Sequence, residues 1–167
     1  FNVERRKETH VIRVGYTALT NDSRKTSLLP IGEIQKGIEL SEGKAVASPI
    51  SSVMQHEQMP DYFKSIDLWV DRFGVGFYGF AAIEAAASGI PVITEISKEA
   101  RQYVPDCPFI SVERSGVASN IVLLSKLNLL RTTLGERSRK FAVRTHDSKQ
   151  VAYLCLDFYE EMCGVKV

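Results

Sequence analysis

The sequence predicts an α/β fold, a Rossmann-like parallel sheet with helices on both faces. Two observations carry this. Short β-branched runs alternate with helical stretches along the chain, as successive β-α units do. Within that alternation, the apolar run Leu68-Trp69-Val70 feeds a loop with glycines at 74, 76 and 79, then an alanine-dense helix, then a second strand at Pro91-Val92-Ile93.

Residues 11–16 are short and β-branched and read as the first strand, followed by a polar loop from Thr20 to Lys25. A helix is expected over about residues 31–40, a strand over 45–50, a helix over 61–64 primed by Pro60, and a strand over 66–70. After the alanine-rich helix come strands at 91–93 and 109–112, then helices over 117–130, 133–143 and 149–162. Crossovers between parallel strands should be right-handed. Ligands of open parallel sheets sit beyond the carboxyl ends of the strands, so candidate residues follow Tyr16, Ile50, Val70 and Ile93.

At 167 residues and 44% hydrophobic content the chain can bury one substantial core and has the size of a single domain. No internal repeat, low-complexity tract or Pro/Gly-rich linker divides it. The formal net charge is +1, from 21 basic and 20 acidic residues without long blocks, which argues against nucleic acid or a membrane surface as partner. Arg5-Arg6-Lys7, Arg24-Lys25 and the basic residues of 137–144 form only short clusters. Three cysteines are too few for a disulfide framework, and Cys155 and Cys163, eight residues apart on one expected helix, cannot reach each other. A reducing, cytoplasmic setting fits them. No run has the length of a transmembrane helix, and residues 1–7 lack the apolar core of a signal peptide.

The glycine loop has the chemistry of an anion site. Glycine lets backbone approach a ligand closely, and the first amides of the following helix lack partners and carry the positive end of its dipole. A phosphate there meets several N–H donors at once. The competing reading is a tight strand-to-helix turn with no ligand. Gly74-x-Gly76-x-x-Gly79 also matches the dinucleotide spacing of an NAD-dependent oxidoreductase. The acidic partner expected roughly 20 residues later has only Glu95 and Glu99 as candidates, and neither ends an obvious strand. Glu84 is the other anomaly. Its neighbours one turn away are Phe80, Ala81, Ala87 and Ser88, so no intrahelical ion pair accounts for it. Either it is buried and satisfied by ligand hydroxyls, or it faces solvent on a polar stripe with Ser88. His10, His56 and His146 are scattered and read as lone surface histidines. No metal site, cofactor or Gly-x-Ser-x-Gly hydrolase elbow is indicated.

From about Met59 to Met162, well over half the chain, the order of motifs resembles the C-terminal, nucleotide-sugar-binding half of GT-B glycosyltransferases, in particular the retaining family 4. Three segments carry the likeness: 60–71; Gly79 to Ile93 with its Glu84-Ala85-Ala86-Ala87-Ser88-Gly89-Ile90-Pro91-Val92-Ile93 core; and a tail comprising Leu134 to Arg139, His146-Asp147 and Val151-Ala152. The resemblance implies that Glu84, matching the second Glu of a Glu-x7-Glu motif, binds the donor ribose. It implies that the loop Phe77, Tyr78, Gly79 and Phe80 holds diphosphate through its amides. Arg24 and Lys25 are the nearest candidates for the family's phosphate-binding Arg and Lys, although Thr26 stands where a glycine is usual. Ile50 and Ser51 fall where relatives meet the base.

The first Glu of the motif, which in relatives helps hold the sugar, falls at Gly76, and glycine cannot do a carboxylate's work. Asp71 is a partial substitute or, equally, a cap for the loop after its strand. The implied donor is a UDP-, GDP- or ADP-sugar, stabilised as it departs by amides and cations without a metal. A GT-B enzyme works in a cleft between two domains, so the half that binds a glycan or lipid-linked acceptor is expected to be a missing N-terminal domain. The full-length enzyme would be cytoplasmic or peripheral to the membrane, and this domain alone would bind donor without turnover. The alternative is a non-catalytic Rossmann-like interaction module with a decayed nucleotide site.

Overall fold

The computed structural model describes residues 11–18 and 28–164. Arg24, Lys25 and His10 lie outside them. Five strands, β1 (Ile12–Thr17), β2 (Ala45–Ile50), β3 (Leu68–Val70), β4 (Val92–Thr94) and β5 (Ile110–Ser111), form one sheet in the order β2-β1-β3-β4-β5. Every pairing is parallel. The helices are α1 (Ile31–Leu40), α2 (Met59–Lys64), α3 (Phe80–Ala87), α4 (Lys98–Arg101), α5 (Val117–Lys126), α6 (Asn128–His146) and α7 (Ser148–Cys163).

Side chains of a strand alternate between faces, and the two cores follow that alternation. Leu68, Val70 and Ile93 point to one face and pack with Ile34 of α1 and Val117, Ile121 and Leu124 of α5. Trp69 and Val92 point to the other and pack with Phe63 of α2, Ala82, Ala85 and Ala86 of α3 and Phe141 of α6. On the first face α1 and α5 meet closely at Gly37, where a Cβ would lie 3.0 Å from the Cα of Ala118 and 3.0 Å from the Cβ of Ile121.

Local chemistry sets the element ends. The Ser41 hydroxyl donates to the Ile38 carbonyl at 2.6 Å and accepts the Ala45 amide at 2.9 Å, tying the stop of α1 to the start of β2. Pro49 is tolerated in β2 because that strand is at the sheet edge. Pro60 stands in the first turn of α2, where a missing N–H costs nothing. Asp147 caps α7 by accepting the Lys149 amide at 2.9 Å.

Two expectations are corrected. The long helical region does not break between 130 and 133: α5 ends at Lys126, Leu127 has non-helical backbone, and α6 runs unbroken from Asn128 to His146. No glycine or proline lies near Leu127, so composition carries no signal for the break. The short helix α4 and the 3₁₀ turns at His56–Gln58 and Arg114–Gly116 were also not expected. The last helix, α7, buries none of its residues and leaves Tyr153, Leu154, Phe158, Tyr159 and Met162 exposed. Among the described residues no helix is long and apolar enough to cross a membrane.

Candidate functional site

The strand order 2-1-3-4-5 reverses direction between β1 and β3, and in such sheets the crevice at that switch point receives the ligand. At the end of β3 the glycine loop begins, and the segment leading into it is tied to the chain ahead of α1: the Phe73 amide donates to the Leu28 carbonyl at 2.8 Å.

Asp71, immediately after β3, is 4% exposed, and its Oδ2 accepts the Gly79 amide at 2.8 Å. This contact ties the end of β3 to the residue that precedes α3. Burial pushes the Asp71 carboxyl above the ordinary value of 3.8, opposed by hydrogen bonds from the Gly79 and Arg72 amides and by the Arg72 charge. The Gly79 amide is thus already engaged. The Phe80 and Ala81 amides, in the first turn of α3, have no carbonyl a turn before them within the helix. Arg72 was not singled out from the sequence, yet a Cβ at Gly79 would lie 2.8 Å from its Nη2. A cation thus rests on the loop from the strand side.

Gly74 and Gly76 have φ of 82° and 76°, a region costly for other residues, so a Glu at position 76 would be strained there. The Gly76 carbonyl accepts the Ser97 amide at 2.9 Å, and the Gly74 amide donates to the Glu95 carboxylate. Glu95 ends no strand, as expected, but it is the residue directly after β4. The Phe77 and Tyr78 rings stack with centroids 4.2 Å apart. Tyr78 is buried, its hydroxyl lies 2.9 Å from His146 Nε2, and its ring packs edge-on against Phe109 and Phe141. His146 is accordingly no lone surface residue: burial lowers its pKa below the ordinary 6.5. Phe80 is 85% exposed.

Glu84 is half-buried and has a partner from another element: His56 Nδ1 lies 3.8 Å from its Oε1. His56, too, is therefore not isolated. The two residues open onto a groove of about 210 Å³ lined also by Met59, Pro60, Phe63, Ala87 and Ser88. A carboxylate on an apolar-walled groove suits a ligand with one flat apolar part and adjacent hydroxyls. Ile50, at the end of β2, is buried in the same core as Phe63, and Ser51 is exposed beside it. A second cleft, of about 550 Å³, lies at the carboxyl ends of the strands, with Gly74, Gly76, Glu95, Ser97, Lys98 and Glu113 in its lining. Glycine loop, Asp71 and Arg72 therefore come together, Glu84 and His56 face their own groove, and Arg24 and Lys25 lie outside the described residues.

This fold is that of known glycosyltransferases. Over 95% of its length the chain superposes, with a TM-score of 0.65 and 12% identity, on 38% of the chain of an S. aureus TarM mutant crystallised with fondaparinux, α-GlcNAc-glycerol and UDP. A second TarM structure gives a TM-score of 0.58 at 15% identity, over 95% of this chain and 37% of that one. The C-terminal domain of a Francisella tularensis glycosyl transferase group 1 family protein, LpcC, gives 0.62 at 15% identity, over 82% of this chain and 87% of that one. The chain thus spans well under half the length of TarM and nearly all of the isolated LpcC domain. No protein-family model matches it, and no curated protein matches by sequence. Identities this low speak for the fold alone.

Proposed function

We propose that the chain is the C-terminal, donor-binding half of a two-domain GT-B glycosyltransferase of the family 4 type. In this reading Glu84 accepts hydrogen bonds from the donor ribose in the His56 groove, and Ile50 and Ser51 border the base. The diphosphate lies on the loop from Phe77 to Phe80, with Arg72, Arg24 and Lys25 supplying positive charge. Preorganised donors of this kind stabilise charge developing on a departing nucleoside diphosphate. The acceptor, a glycan or a lipid-linked sugar, is held by a separate N-terminal domain, so this half binds donor without turnover. Retention at the anomeric carbon and a cytoplasmic or membrane-peripheral setting belong to the same proposal.

The observation that carries it is Glu84, a carboxylate without an intrahelical partner, half-buried on the helix that the glycine loop opens and facing an apolar-walled groove. One observation favours a second reading, a non-catalytic module with a decayed site: Gly76 offers no carboxylate, and the Gly79 amide is already taken by Asp71. Titration of the chain with UDP, GDP, ADP and NAD by calorimetry separates these readings. The donor reading expects heat from one nucleoside diphosphate at micromolar to millimolar concentration. Silence from all four with an intact fold supports the module, and binding of NAD alone supports an oxidoreductase.

A further inference from the structure

Gly76 leaves a gap in the donor reading, because it removes the carboxylate that would orient the sugar. The structure brings another carboxylate to the same loop. Glu95 leaves the end of β4 and accepts the amide of Gly74, two residues before Gly76, so its side chain lies against the loop from the β4 side. It also lines the cleft of about 550 Å³ that opens beyond the carboxyl ends of the strands. That size is within the range of small-molecule sites.

The lining has the chemistry a sugar requires. A carboxylate has two oxygens and several lone pairs, so one Glu can accept the Gly74 amide and still accept from a hydroxyl. Lys98 adds a mobile ammonium donor, and Glu113 a second exposed carboxylate, on the same cleft. Ser111 is committed elsewhere: its hydroxyl accepts the Ile96 amide at 3.0 Å and donates to the Ile96 carbonyl at 3.3 Å, fixing the floor between Glu95 and Ser97. The cleft and the Glu84 groove have no lining residue in common.

We propose that this cleft takes the hexose of the donor and that Glu95 is its hydroxyl-binding carboxylate, displaced from the loop to the end of β4. The inference rests on the donor reading above. At position 76 a Glu would have to adopt the left-handed backbone of Gly76, with its Cβ 3.3 Å from that of Ser97. At position 95 it stands at the end of a strand, free of that constraint, and reaches the same space.

The test compares the wild-type chain with Glu95→Gln and Glu95→Ala, using UDP, GDP and ADP, the glucose conjugate of each, and NAD. Gln keeps an acceptor for the Gly74 amide but loses the charge and one acceptor, so a loop-bracing role alone is rescued by it. The proposal expects the wild type to bind a nucleotide sugar more tightly than its nucleotide. Glu95→Gln then weakens the sugar conjugate roughly tenfold, as loss of a charge-assisted hydrogen bond does, and leaves the nucleotide and the melting temperature nearly unchanged. Equal losses for both ligands, or full rescue by Gln of a defect seen in Glu95→Ala, would overturn it while leaving the donor reading standing. Failure of the wild type to bind any nucleotide overturns both. Binding of NAD abolished by Glu95→Gln would make Glu95 the acid of a dinucleotide site instead.

Discussion

Replacing Asp71 separates the two things its carboxylate does, accepting a hydrogen bond and burying a charge. Its Oδ2 accepts the Gly79 amide at 2.8 Å at a site 4% exposed. Asp71→Ala leaves that amide without its acceptor, which costs about 1–3 kcal/mol for a buried donor. Taking about 2 kcal/mol, and about 2–4 °C per kcal/mol for a chain of this size, the midpoint should fall by about 4–8 °C. Asp71→Asn keeps an acceptor in the same place and removes a charge whose burial is unfavourable, so its stability should lie within about 1 kcal/mol of wild type, on either side. The pH dependence has a definite sign. The folded carboxyl binds its proton at higher pH than the unfolded one, whose ordinary value is 3.8. This residue therefore lowers stability at neutral pH, and that cost is relieved as pH falls through the raised value toward 3.8. Asp71→Asn removes the contribution. Urea unfolding of the three proteins from pH 4.5 to 7.5 reads all of this. An Asn variant as unstable as the Ala variant would refute the reasoning, because charge rather than the acceptor would then hold the loop.

Three further outcomes are expected. Gly37→Ala should destabilise by about 1–2 kcal/mol in urea despite the gain of about 1 kcal/mol in helix propensity, since the added Cβ meets α5 backbone at 3.0 Å. His146 is neutral against Tyr78, with a pKa below 6.5, so its contribution is complete above that pH and is lost as pH falls below it. The urea midpoint of wild type should therefore drop between pH 6.5 and 5 more steeply than that of His146→Phe, and parallel curves would remove His146 from the account. Arg72→Ala should weaken binding of UDP about tenfold and flatten its salt dependence, leaving uridine unaffected, as measured by calorimetry at two salt concentrations.

The strand–loop–helix–strand unit was legible because local signals agree along it: an apolar strand, glycines where φ is positive, and an alanine-rich helix that buries Ala82, Ala85 and Ala86. Helix α1 was placed over its observed residues for the same reason. What was not legible depends on contacts between distant residues. Glu84 finds His56 across 28 positions, Tyr78 finds His146 across 68, and the Gly79 amide finds Asp71 through the fold of the loop. Isolated histidines in a sequence look alike, whether they end exposed or packed against a tyrosine. Arg72 was overlooked because an arginine after a strand is ordinary; only the distance to Gly79 marks it. The position of Glu95 was obscured because β4 ends on the polar but buried Thr94, one residue beyond the apolar run that the sequence shows.

The central claim is that Glu84 is a ribose-binding carboxylate rather than a surface charge. The most direct measurement is the affinity of wild type and Glu84→Ala for whichever nucleoside diphosphate the wild type binds, paired with their melting temperatures. The account predicts roughly tenfold or greater loss of affinity, the worth of one or two charge-assisted hydrogen bonds, with the melting temperature changed by no more than about 2 °C. Unchanged affinity, with or without a change in stability, would contradict it.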